Sequence, residues 1–130
     1  MKTKALENIT SAQKLIDCKQ FTSSVHCSYY AVFQYMKYML ANTTNKPIAL
    51  VDQDAHKGDS SHDYILTEIK NRINKDPRTV RNFTETVRLL KNDRVDADYH
   101  LRNFTDIESI TCKDHAVGLI ANLKTYFGNL

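Results

Sequence analysis

Glycine and proline are nearly missing from this chain, at three and two of 130 residues. A polypeptide so poor in turn formers cannot make the many tight turns of an all-β fold, so long helices are favoured from the outset. Cysteine is scarce too. Cys18, Cys27 and Cys112 are odd in number and show no C-x-x-C spacing, which disfavours a disulfide framework and a zinc ribbon and fits a reducing compartment. No apolar run approaches the roughly 18 residues that a bilayer requires, and the opening "MKTKALENIT" has none of the apolar segment of a secretory signal. A cytoplasmic protein with no membrane contact is the expectation. Nor is there a strong excess of either charge. The net charge is +3, and the 42% hydrophobic and 25% charged residues match an ordinary globular domain. One domain over residues 1–130 is expected, large enough to bury one core.

What the chain does have is helical periodicity. A first segment, about residues 3–19, carries Ile9, Ala12 and Ile16 on one face with Leu15 alongside. The second, about 22–41, reads "TSSVHCSYYAVFQYMKYMLA". It places Val25, Tyr29, Val32, Met36, Met39 and Leu40 on one broad stripe that Tyr30 and Phe33 widen, so it is either buried on two sides or doubles as an interface. Such a stripe is core rather than cofactor box, and no cofactor is expected. His26 and Cys27 are neighbours about 100° apart on a helix and are expected to pack rather than form a dyad. Residues 42–60 are the one long irregular stretch, of a kind that is commonly functional or mobile. Asp52, Asp54, His56 and Asp59 there suggest a cation loop. Gly58 is one place late, however, and the twelfth-position glutamate is missing, so no metal is expected. A third helix starting near Ser60 or Ser61 turns Ile65, Leu66, Ile69 and Ile73 inward, and Pro77 separates it from a fourth. A fifth, from about Ile107, buries Ala116, Leu119, Ile120, Leu123 and Phe127. The fold class is all-α: an antiparallel up-and-down bundle of four to five helices.

The fourth helix, about Thr79 to Leu101, holds the functional question. Its stripe is Val80, Phe83, Val87, Leu90, then Arg94, then Ala97 and Leu101. A guanidinium on a core-facing stripe needs a partner, because a lone buried charge costs several kcal/mol. Asp98, at i+4, is one, and Asp93 and Asp96 could add to the local field. The alternative is a phosphate, held through a bidentate contact, with His100 as a proton-transfer group. A regular helix puts His100 about 120° around from Arg94. They converge only if the helix distorts or a second subunit reaches across. Between Lys70 and Arg102 stand nine basic and five acidic residues, as a solvated helix face would have.

The ordered blocks "SSVHCSYYAVFQYMKYML", "SSHDYILTEIKNRI" and "FTETVRLLKNDRVDADYH" resemble the HEPN superfamily of higher eukaryotic and prokaryotic nucleotide-binding domains. They match its "YYA.F" block at Tyr29, Tyr30, Ala31 and Phe33, its serine–histidine helix start at Ser61 and His62, and its "R..ADY" segment at Arg94, Ala97, Asp98 and Tyr99. The resemblance runs over about residues 5–128. It implies a helical bundle, often a homodimer, and in many members a metal-independent ribonuclease of toxin–antitoxin or defence systems, paired with a nucleotidyltransferase-type antitoxin. By that resemblance Arg94 would stabilise a phosphate and His100 would assist attack by the RNA 2′-hydroxyl, with Arg81, Arg88 and Lys91 guiding the backbone. Val95 stands where cleaving members often carry a polar residue, and the "ADY" form also occurs in members that look non-catalytic. The expectation is therefore a non-catalytic or weakly active module binding a nucleotide, nucleic acid or partner, with a ribonuclease using Arg94 and His100 as the alternative. In the binding reading Arg94 bridges Asp98 and His100 is incidental. Tyr99, beside the site, is expected to pack rather than contact phosphate.

Overall fold

The computed structural model describes residues 1–58 and 60–130 and contains six helices and, among those residues, no strand: α1 (Lys2–Asp17), α2 (Phe21–Asn42), α3 (Leu50–Asp54), α4 (Ser61–Lys70), α5 (Pro77–Tyr99) and α6 (Asp106–Phe127). The starts are written in the sequence. Ser60 accepts from the Asp63 amide to begin α4, and Asp76 accepts from Thr79 ahead of Pro77 at the first turn of α5. Thr105 and Glu108 close a reciprocal capping box on α6. Three residues join α1 to α2, with Lys19 at φ 60°, so the two lie antiparallel. At the far end of the bundle Lys2 Nζ donates to the carbonyl of Leu130 at 3.2 Å, closing first helix on last.

The breadth of the α2 stripe has a structural reason: α2 is central and packs against all five other helices. Val25, Tyr29, Val32, Tyr35, Met36, Met39 and Leu40 are essentially sealed from solvent, each large one contributing about 1.5–3 kcal/mol. Packing against five helices accounts for that pattern. The facing helices add Ala5 and Ala12 from α1, Ile65 and Ile69 from α4, Phe83, Val87 and Leu90 from α5, and Cys112, Ala116, Leu119 and Leu123 from α6. The two small alanines let α1 lie close on α2, where Ser24 Oγ donates to the Ala12 carbonyl at 2.9 Å.

Two expectations change here. The stretch 42–60 contains a short helix and is tied down. Gln53, buried, donates to the carbonyls of Lys37 and Ile48, and Arg72 reaches across to the carbonyls of Asn45 and Lys46. Asp54 pairs with Lys37 and His56 stacks on Tyr64, while Asp59 lies outside the described residues. Second, α5 ends at Tyr99, so Leu101 leaves the stripe and is fully exposed.

Candidate functional site

Arg94 lies in the last third of α5 with only 5% of its surface exposed. Its guanidinium carbon is 5.2 Å from the Tyr29 ring centre, 5.4 Å from that of Tyr30 and 6.0 Å from that of Tyr99. Negative aromatic faces stabilise a cation by about 0.5–2 kcal/mol each when desolvated, but they satisfy no N–H donor. The nearest carboxylate oxygen among the described residues, on Asp98, is 3.7 Å from Nη1, an ion pair without a hydrogen bond. Arg94 makes no side-chain hydrogen bond with any described residue, and its Nε is buried without a partner.

The expected Arg94–Asp98 partnership is thus only half made, and the reason is on α2. His26 Nδ1 takes both Asp98 oxygens, at 2.8 and 3.0 Å. Asp93 and Asp96 turn the other way and hold Arg102. Tyr29, whose ring also faces Arg94, bonds His62 Nδ1 through its hydroxyl at 2.6 Å, and the His62 ring stacks on Phe33 at 4.3 Å. Burial, with the neighbouring charges of Arg94 and Lys91, pushes the His62 imidazole down to about 4, so the ring is neutral at physiological pH. Burial likewise raises the Tyr29 phenol, keeping it protonated. Tyr29 and Tyr30, whose rings lie against the Arg94 guanidinium, thus also meet two histidines, His26 braced by a carboxylate and His62 by the Tyr29 hydroxyl.

The other residues singled out in the sequence scatter. His100 caps α5 in extended conformation, exposed, with only its backbone N–H bonded, to the Asp96 carbonyl at 3.2 Å. Its side chain has no hydrogen bond or ion pair with any described residue, so it does not join Arg94 within the protomer. Tyr99 is 73% exposed in the protomer. Arg81 and Arg88 line an open groove of about 470 Å³ with Lys70 and Lys75, while Lys91 is tied to Asp63 at 3.2 Å.

The order of Tyr29, Tyr30, His62, Arg94 and Asp98 along the chain, now seen to meet at one point, is what a family comparison tests. The HEPN domain model matches residues 1–124. The chain belongs to the HEPN domain family. No curated protein and no solved structure matches it. In this HEPN domain the "YYA.F", serine–histidine and "R..ADY" blocks are brought to one locus by α2, α4 and α5 respectively. His26 and His62 are the site residues that helix-by-helix reading misses. His62 had a signal in the serine–histidine block, whereas His26 had none beyond lying one turn before Tyr29 and Tyr30. Chemically, the locus presents a fixed cation with unsatisfied donors, a hydrogen-bond-locked imidazole and a neutral one. No group of three His, Cys, Asp or Glu among the described residues is placed to hold a metal ion.

Proposed function

We propose that this HEPN domain is a binding module for a phosphate-bearing ligand, a nucleotide or an RNA backbone, whose phosphate completes the hydrogen bonding of Arg94. One observation carries the reading. Arg94 is almost wholly buried with no hydrogen bond to any described residue, an arrangement that costs stability unless something else occupies the donors. A planar guanidinium is the side chain best suited to a phosphate, and the cations at Arg81, Arg88, Lys70 and Lys75 would attract one by long-range steering. The test is calorimetric titration with ATP and, separately, with a short single-stranded RNA, for wild type and Arg94→Met. Saturable binding weakened at least about ten-fold in a folded variant is expected. Equal affinity for the two proteins would sink the reading.

A second reading, RNA cleavage, is favoured by one specific feature, an imidazole, His26, held by the same Asp98 carboxylate that lies 3.7 Å from Arg94. As for partners, Leu6, Ile107, Ile110 and Val117 expose an apolar face on α1 and α6 that suits a second copy of this chain, a homodimer that Val117→Glu would dissociate in sedimentation. The family resemblance adds a nucleotidyltransferase-type partner in a toxin–antitoxin or defence setting, testable by co-purification.

A further inference from the structure

We infer that the open groove where α4 runs into α5 docks a short acidic peptide segment of a partner protein, one with an apolar side chain among its carboxylates. Arg94 does not line this groove, so its occupant is separate from any phosphate at Arg94.

The groove encloses about 470 Å³ and is lined by Lys70, Lys75, Arg81 and Arg88. All four are exposed, and none has an ion pair or a side-chain hydrogen bond with any described residue. The acids that could compensate them are engaged elsewhere. Asp63 of α4 accepts from Lys91 and Ser60, Glu68 of α4 holds Arg72 at 2.6 Å, and Asp76 accepts from Thr79 to cap α5. Further along α5, Asp93 and Asp96 hold Arg102, and Asp98 holds His26. Glu85 lines the groove but pairs with none of the four. The surplus of cations between Lys70 and Arg102 is thus sorted in space. The acids gather toward the C-terminal end of α5, and the uncompensated cations gather around its first half. Arg78 and Arg81 stand in the opening turns of α5, where no acidic residue follows the cap and the helix dipole is itself positive, a placement that disfavours cations. An anionic occupant relieves that crowding of like charge.

The surface between the cations decides which anion fits. Pro77 and Val80 are apolar, and Val80 packs on the core. Thr84 has already given its hydroxyl proton to the Val80 carbonyl at 2.8 Å. No aromatic or histidine ring lines the groove, so a nucleobase finds no stacking platform there. Glu85 opposes a continuous run of phosphates, whereas a peptide brings backbone N–H donors that its carboxylate can accept. Carboxylates on the cations, with an aliphatic side chain over Pro77 and Val80, therefore match this lining better than a nucleic-acid backbone does.

Three labelled probes, titrated by fluorescence anisotropy into the full chain, test this. They are a capped peptide alternating glutamate and leucine, an all-glutamate peptide of equal charge and an oligouridylate of equal charge. The mixed peptide is expected to bind saturably, at least about ten-fold tighter than either other probe, and to weaken as NaCl is added. Arg81→Glu combined with Arg88→Glu is expected to lower that affinity at least about ten-fold with an unchanged thermal melt. Lys70→Glu with Lys75→Glu, which leaves α5 intact, repeats the comparison should the first pair alter the melt. Val80→Thr brings the mixed peptide toward the affinity of the all-glutamate one. Arg94→Met binds the mixed peptide like wild type, so the groove and the phosphate reading fail separately. Absence of saturable binding, equal or tighter binding of the oligouridylate, or undiminished affinity in a folded charge-reversed chain overturns the inference.

Discussion

Arg94 and Arg102 stand two helical turns apart in sequence and are treated in opposite ways. Arg102, half exposed, is saturated. It donates to Asp93 at 3.3 Å, Asp96 at 2.9 Å and Glu108 at 2.6 Å, and its guanidinium carbon lies 4.1 Å from the Phe104 ring centre. Glu108 and Asp96 hold its pKa above the ordinary arginine value, and Arg102 in turn draws Glu108 below the usual carboxylate range. Arg94, far more buried, has tyrosine faces and one carboxylate at 3.7 Å. Had burial of a cation simply demanded compensation, the acids would have gone to Arg94. They instead staple the segment between α5 and α6, where Glu108 also serves the capping box. A fully paired arginine is an anchor. One left short of partners in a more buried place fits a site whose last partner arrives from outside.

The sharpest way to break this contrast is to replace each arginine by methionine. Arg94→Met is expected to lose at least about ten-fold in phosphate affinity, while its stability stays within about 1 kcal/mol of wild type, because an underpaired buried charge is replaced by an apolar chain. Arg102→Met is expected to do the reverse, binding normally and melting a few degrees lower. A large stability loss in Arg94→Met would make it a second anchor and end the comparison.

Acid titration is next in size. The folded state holds His62 neutral down to about 4 against an ordinary value of 6.5, so between those values the unfolded chain binds the extra proton. This contribution is fully present above pH 6.5 and is lost as pH falls toward 4. His62→Phe, which preserves stacking on Phe33, should flatten that decline in urea melts. An unchanged slope would show that His62 is not the group responsible.

Salt separates the arginines further. In 1 M NaCl the melting difference between wild type and Arg102→Met should shrink, since surface ion pairs are screened, and the Arg94 variant should not respond. The smallest effect expected is Thr105→Ala, about 1 kcal/mol from the lost cap. A larger loss would mean that the Arg102 cluster depends on the cap to position Glu108.

Much of this molecule is legible along the chain. The five long segments, the inward faces of α4 and α6, and Arg94 as an arginine on an apolar stripe all follow from a period of 3.6 residues, which relates positions on a single helix. The same periodicity makes Asp98 look like the partner of Arg94, because i+4 is the nearest position on its own helix. His26, 72 positions away in the chain, competes for that carboxylate and wins. Tyr29 meets His62 across 33 positions, and α5 ends at Tyr99 with His100 as its cap. The intervals within helices were therefore determined by sequence alone, as were the helix start near Ser60 and the order of the family's blocks. Which side chains share one locus was decided only by tertiary structure. A hydrogen bond between helices depends on how two helices pack and rotate against each other, and no pattern within either one encodes that.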